Sequence, residues 1–428
     1  MFRLAVNEYR NVIVENIREQ KPIRFPSLKE FQQPARKLVM MACEKVRIGH
    51  LVIHEGKSSY SFGEPADKAS VHATIHVHDS SAYSAFLANG TIGSAEAFMN
   101  REWTSPDLLS VIRLMVLNLE WLQKMNQGRS LPLKALLKFN QLISANTRSG
   151  SKKNIGAHYD LGNDFFKLFL DESMMYSSAL YAHPSQSLEE AAVNKLEAIC
   201  QKLELTASDH LLEIGTGWGG MAIYAAQHYG CTVTTTTISK EQHAYALEKV
   251  KSLGLGNKIK VVLQDYRDLS GSFDKIVSIE MIEAVGHQYY SAYFKQCSAL
   301  LNDNGLMLIQ AITIPDNRYE SARKSTDFIK KMIFPGGCLP SNAVLARHIA
   351  RDTDMQMVAL EDITQHYAQT LADWCARFHN NLAEIKAQGY SDSFCRMWDF
   401  YLRYCEGGFR ERVIGTVQLL LAKPSYRP

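Results

Sequence analysis

Between His210 and Gly220 the chain reads His-Leu-Leu-Glu-Ile-Gly-Thr-Gly-Trp-Gly-Gly, a short apolar run that ends in a burst of glycines. Glycines at such a bend let the backbone approach a ligand closely at the carboxyl end of a strand. Two ligand classes compete for this turn. A nicotinamide dinucleotide wants an acidic residue ~20 positions further on, to hold the ribose hydroxyls. That stretch runs Cys-Thr-Val-Thr-Thr-Thr-Thr-Ile-Ser from Cys231 to Ser239 and holds no carboxylate. Glu213, just ahead of the glycines, suits a cationic ligand end instead. Adenosylmethionine carries an ammonium and a sulfonium, so the residues favour it over NAD.

Other reactive side chains carry weaker signals. Val71, Ala73, Ile75 and Val77 alternate with His72, Thr74, His76 and His78, which predicts a strand with a polar outer face. Three histidines on one face invite a metal, but no acidic or cysteine ligand stands nearby at useful spacing, so no metal site is assigned. Cys338, in Pro-Gly-Gly-Cys-Leu-Pro, has the look of a loop nucleophile. It has no base at suggestive spacing and reads as a buried structural thiol. The run from Phe328 to Phe334 sets apolar residues around a Lys-Lys pair, as an interfacial helix or an ordinary amphipathic helix would.

The elements that must position these groups fall into two units. Residues 1–143 form an α/β unit. Helical character from Phe31 to Val46 is followed by strands over Val46–Ile53 and Ser58–Phe62, then by the alternating strand. Thr104-Ser105-Pro106-Asp107 starts a helix over Leu108–Met125, with Pro just inside its first turn; the helix reads as core rather than the lining of a greasy cavity. A small, polar, basic stretch (144–155) is the linker. From about 190, helices (189–203, 219–229, 240–253, 289–301) alternate with strands (211–214, 231–237, 259–263, 274–279, 305–312). That pattern predicts an α/β, doubly wound, mostly parallel sheet in a unit spanning 156–428.

Composition narrows the partners. With 428 residues, 46% of them hydrophobic, the chain can bury a sizeable core. A formal charge of +3 does not make a nucleic-acid binder by bulk electrostatics, though it suits weak attraction to anionic headgroups. Eight scattered cysteines without paired spacing read as reduced thiols in a cytosolic protein. Arg3, Glu8, Arg10, Glu15 and Arg18 interrupt any signal-peptide core, and no uncharged apolar run reaches the ~18 residues of a membrane span. Contact with lipid is therefore expected from outside the bilayer.

Several segments stand in one order: Gly156–Phe166 (Gly-Ala-His-Tyr-Asp-Leu-Gly-Asn-Asp-Phe-Phe), Met175–Tyr181 (Met-Tyr-Ser-Ser-Ala-Leu-Tyr), Leu212–Gly220 and Ile333–Ser341 (Ile-Phe-Pro-Gly-Gly-Cys-Leu-Pro-Ser). With Tyr401–Arg410 (Tyr-Leu-Arg-Tyr-Cys-Glu-Gly-Gly-Phe-Arg) they closely resemble the cyclopropane-fatty-acyl-phospholipid synthase and mycolic acid cyclopropane synthase family. The resemblance covers roughly 150–428. It implies a Rossmann-like class I methyltransferase that uses S-adenosyl-L-methionine to add a methylene across a cis double bond of an unsaturated phospholipid acyl chain. The enzyme would work at the inner face of the membrane as a cytoplasmic, peripheral protein, with the N-terminal unit docking on lipid and a homodimer allowed.

By position, the resemblance assigns cofactor contacts to Tyr159, Tyr176 and Ser177, to Glu213, Gly215 and Gly217, and to Thr237 and Gln242 on the ribose side. Asp265, Tyr266 and Arg267 fall where the family meets adenine. A bound bicarbonate would be the base, held by Glu283, the backbone of Ile312 and Tyr367. Two positions depart from the family: Ser178 replaces a cysteine and Gln310 a histidine. Both can still offer hydrogen bonds to an anion, but neither titrates near pH 7 as histidine does. Methylation without ring closure, or an inactive lipid-binding relative, therefore stays open.

Overall fold

The computed structural model describes residues 28–119 and 161–427. The first unit is built on a four-stranded sheet in the order β2-β1-β3-β4: β1 (His50–Glu55), β2 (Ser58–Gly63), β3 (His72–Val77) and β4 (Trp103–Thr104). Strands β1 and β2 form a hairpin around Gly56, while β3 runs parallel to β1. The alternation reads correctly: Val71, Ala73 and Val77 are buried and His72 and His78 exposed. The histidines spend themselves on neighbours. His54 stacks on His76 at 4.9 Å, and His78 Nε2 lies 2.8 Å from the Thr104 hydroxyl.

The helix after β4 differs from expectation at its start. It spans Leu108–Leu117, and Asp107, not Pro106, is its cap, accepting from Ser110 N at 3.1 Å. Pro106 lies just outside the first turn, and the carboxylate of its neighbour satisfies the Ser110 amide there. Leu108, Val111, Ile112 and Leu114 are buried, as a core helix requires. The linker 144–155 and the expected helical stretch from 120 to 125 lie outside the described residues.

The second sheet has seven strands in the order β10-β11-β9-β8-β5-β6-β7. These are β5 (His210–Ile214), β6 (Thr232–Thr237), β7 (Ile259–Leu263), β8 (Phe273–Ile279), β9 (Leu301–Thr313), β10 (Gln356–Asp362) and β11 (Gly415–Ala422). From β7 through β9 neighbours pair in parallel; β11 and β10 add an antiparallel edge. This is the doubly wound α/β fold, and all five strands expected from the sequence are present. Strands β10 and β11 went unread.

Helices Thr364–Asn380 and Asp392–Arg410 close over the sheet's carboxyl ends and carry a dense aromatic layer. Trp374, Phe378, Trp398, Tyr401 and Phe409 are all buried there. The second of these helices also joins the two units. Gly407 meets the Leu108–Leu117 helix so closely that a Cβ would lie 2.6 Å from Ile112 Cγ2. Lys331 Nζ bonds Glu96 at 2.6 Å across the same junction. The Phe328–Phe334 run is therefore an ordinary packed segment, a π-helix at Ile329–Ile333 with Phe328 and Ile333 buried. Among the described residues, no helix is long and apolar enough to cross a membrane.

Candidate active site

The glycine-rich turn leaves β5 with Gly215 at φ +105° and Gly217 at φ +52°, left-handed backbone that favours glycine. Gly220, which opens the next helix, faces the Met175–Tyr181 loop. A Cβ there would lie 2.7 Å from Met175 Sδ and 2.8 Å from the Ser173 carbonyl. The expected loop contacts are thus brought to the turn. The Phe166 ring bridges them, 5.0 Å from Trp218 and 5.2 Å from Tyr176. Tyr159 lies outside the described residues.

Glu213 and Thr235 are register partners on β5 and β6, and the Thr235 hydroxyl donates to Glu213 Oε2 at 2.6 Å. Burial pushes the Glu213 carboxyl up to about 8. Such a group prefers its neutral form until a cation arrives beside it. At the end of β6 the Thr237 hydroxyl donates to Gln242 Oε1 at 3.1 Å, and Gln242 N donates to the Ser239 cap. After β7, Asp265 is spent on the Arg267 guanidinium (2.8 and 2.6 Å), which lies over the rings of Tyr266 and Tyr289. A bend without side chains, a buried carboxyl and neutral hydroxyls fit adenosylmethionine, which supplies a methyl group activated by positive sulfur.

Beyond β8 and β9 the structure departs from the expected anion site. Glu280, the first residue past β8, reaches into it. Glu280 Oε1 accepts from Ser178 N at 2.9 Å and from Gln310 Nε2 at 2.8 Å. Glu280 Oε2 accepts from the Tyr367 hydroxyl at 2.7 Å. Three of the residues expected to hold bicarbonate thus hold a carboxylate of the chain itself. The fourth donor, Ile312 N, bonds Glu283 Oε1. With these donors committed, the described residues do not fit a second anion there.

The two carboxyls differ in their surroundings. Among the described residues Glu283 Oε2 has no hydrogen-bond partner and is shut away from solvent, and burial, with Glu280 nearby, lifts its carboxyl to about 8. Burial also raises Glu280, but donors from Gln310, Ser178 and Tyr367 oppose that shift. Two close carboxyls cannot both ionise cheaply. Glu280 is the one equipped to carry the charge. Lys195, fully buried and 2.8 Å from the Ser177 hydroxyl, is brought down to about 8 by burial, offset by Asp171, Glu280 and Glu213.

Aromatic faces surround this carboxylate. Tyr367 stacks on Phe409 at 4.5 Å and meets Trp374 edge-on. Tyr176 lies 5.3 Å from Trp374, its hydroxyl 2.8 Å from that of Tyr401. Tyr176, Gly215, Gly217, Glu280, Glu283 and Ile312 all keep partial exposure although the strands beneath are buried. Cys338 is buried, its thiol raised by desolvation, and its carbonyl accepts from Tyr290. That suits packing, not attack. The eight cysteines are unpaired.

A family profile for mycolic acid cyclopropane synthetase matches residues 146–419, well over half of the chain. The chain belongs to the mycolic acid cyclopropane synthetase family. Within it, tuberculostearic acid methyltransferase UfaA1 of Mycobacterium tuberculosis is 35% identical over 342 residues, 78% of this chain and 79% of the relative. Cyclopropane-fatty-acyl-phospholipid synthase of Escherichia coli K12 is 36% identical over 370 residues, 84% and 90% of the two chains. The solved mycolic acid cyclopropane synthase CmaA1, complexed with SAH and CTAB, superposes with a TM-score of 0.60 at 30% identity, covering 64% of this chain and 98% of that one. The fold is that of the class I methyltransferases, and the chain is an adenosylmethionine-dependent methyltransferase of the cyclopropane-synthase family. Relatives of similar identity bear names for different products, so membership does not choose the product.

Sequence reasoning missed Glu280, Lys195 and the Tyr401 and Trp374 walls. For Glu280 a signal existed. It directly follows a strand expected to end at 279, and the residue past a parallel strand's carboxyl end is where ligands are met.

Proposed function

We propose that the protein transfers the methyl carbon of adenosylmethionine to a cis double bond of an unsaturated phospholipid acyl chain and closes a cyclopropane ring. One observation carries the reading: the Tyr367 ring packs among aromatic faces while its hydroxyl holds a carboxylate. An alkene that gains a methyl becomes a carbocation. Aromatic faces stabilise a cation without trapping it, and a neighbouring base removes the proton whose loss yields product. Glu213, Gly215, Gly217, Thr237 and Gln242 would hold the cofactor, with Tyr176 and Ser177 closing over it and Asp265–Arg267 flanking its base.

Residues 1–143 would dock on the membrane surface, positioned through 144–155 against the catalytic unit 156–428. Support comes from the stretch 37–48, which exposes Leu38, Met41 and Ile48 together with Lys37, Lys45 and Arg47, and one acid, Glu44. Apolar side chains among cations suit an anionic lipid interface.

A second reading is favoured by Ser178 and Gln310, which depart from the cyclopropane-forming pattern. Here the proton leaves so that a methylene branch remains instead of a ring. Lipid mass spectra of cells expressing the protein test both. Acyl chains heavier by one CH2 are expected. Resistance of that product to mild hydrogenation marks the ring, whereas uptake of hydrogen marks the branch. Unchanged lipids in the presence of folded, cofactor-binding protein would sink both.

A further inference from the structure

We propose that Glu280 is the catalytic base of this enzyme, a carboxylate built into the chain where an exogenous anion would otherwise sit. The inference rests on the reading above and goes beyond it by assigning the proton acceptor to a side chain.

Three observations converge on it. The first is occupancy of donors. Ser178 N and Gln310 Nε2 bond Oε1, and the Tyr367 hydroxyl bonds Oε2. A carboxylate offers about four lone-pair sites. Among the described residues three are filled, two on Oε1 and one on Oε2, so Oε2 is the oxygen with a site to spare. The second is backbone geometry. Glu280 sits at φ +49°, a left-handed conformation in which a side chain is strained. Strain of this kind persists where the surroundings over-determine it, commonly at functional sites. Glycine would relieve it, yet glutamate is present. The third is charge. Lys195, buried nearby, opposes the rise that burial gives the Glu280 carboxyl, while Glu283 beside it is pushed up to about 8 by burial and by Glu280 itself.

The step balances as follows. The alkene π pair forms the new carbon–carbon bond as the sulfur–methyl bond breaks, its electrons staying on sulfur as a neutral thioether. Glu280 Oε2 takes one proton from the transferred carbon, and the released C–H pair closes onto the cationic carbon. The carboxyl then loses its proton to water before the next turnover.

The test uses the full chain, adenosylmethionine and dioleoyl phosphatidylglycerol vesicles in buffer stripped of carbon dioxide, with and without added bicarbonate. Wild-type turnover is expected to be equal in both. Glu280→Gln should lose about a thousandfold in turnover in both, while its affinity for adenosylhomocysteine stays within about threefold of wild type. Glu280→Gly, which relaxes the backbone and vacates the donors, should regain at least about tenfold on addition of bicarbonate or formate. Wild-type dependence on bicarbonate, or wild-type turnover in Glu280→Gln, overturns the proposal. A second arm needs no lipid product: 13C-bicarbonate line broadening should appear with Glu280→Gly and not with wild type. Broadening by wild type refutes an internally filled site. Wild-type protein that makes no lipid product would instead count against the functional reading, leaving this arm to decide on Glu280.

Discussion

The two ends of the active site are built on different principles. On the cofactor side, the bend from Gly215 to Gly220, the threonines of β6 and the buried Glu213 carboxyl form a cluster drawn from one stretch, residues 213–242. On the reaction side, Ser178, Gln310 and Tyr367 come from three distant stretches of chain and converge on the carboxylate of a fourth, Glu280. The first end is expected to be most sensitive to added volume. The second tolerates little change in charge. A generic cofactor needs a shaped cleft, whereas a carbocation needs one acceptor at one place.

The largest effect expected on cofactor binding tests the volume half of that contrast. Gly220→Val puts side-chain atoms against the Ser173 carbonyl, a backbone group that cannot swing aside. Adenosylhomocysteine affinity should fall by more than about a hundredfold, ~3 kcal/mol, with the circular dichroism spectrum retained. Titration calorimetry reads it, and near-normal affinity would show that the turn is not a contact surface.

Tyr367→Phe probes the other end. It deletes one donor to a charged acceptor, worth about 1.5–3 kcal/mol, and leaves the ring on Phe409. Turnover should drop about ten- to a hundredfold with cofactor affinity unchanged. A joint loss of both would mean the tyrosine organises the whole site.

Glu283→Gln separates the paired carboxyls through stability. The folded-state value of about 8 lies above the ordinary 4.5. Between those values the native protein binds the extra proton, so stability falls as pH rises through this window and levels off above about 8. Between pH 6 and 8 the wild type should lose on the order of 2 kcal/mol from this group. The glutamine variant should lose correspondingly less in urea titrations at the two pH values. Equal slopes would place the buried proton elsewhere.

The same division governs what the sequence made legible. The β/α alternation and the Leu212–Gly220 turn are local patterns, and the strands from β5 to β9 lie close to where periodicity puts them. Ser178, Gln310 and Tyr367 were legible as a set of donors because each sits in a short recognisable segment. Its occupant was not. Glu280 and Glu283 differ by less than one helical turn in sequence, and only the left-handed backbone at 280 decides which carboxylate meets the donors. Strand β10 escaped notice for another reason. It is exposed along its whole length, so burial imposes no alternation on its side chains.

The smallest effect sharpens the contrast from the cofactor side. Thr237→Val keeps shape and removes a hydroxyl that donates to Gln242 and accepts from Ser239 N, each at 3.1 Å. Each of these neutral hydrogen bonds is worth about 0.5–1.5 kcal/mol net, and only part of that loss reaches the cofactor through Gln242. The affinity for adenosylmethionine should therefore weaken about three- to tenfold, and turnover at saturating cofactor should stay at the wild-type level, because Thr237 meets none of the groups around Glu280. Steady-state kinetics reads both quantities in one experiment. A fall in saturated turnover would mean that the ribose-side hydroxyls reach through the cofactor to the reacting carbon, and the two ends would then have to be treated as one device.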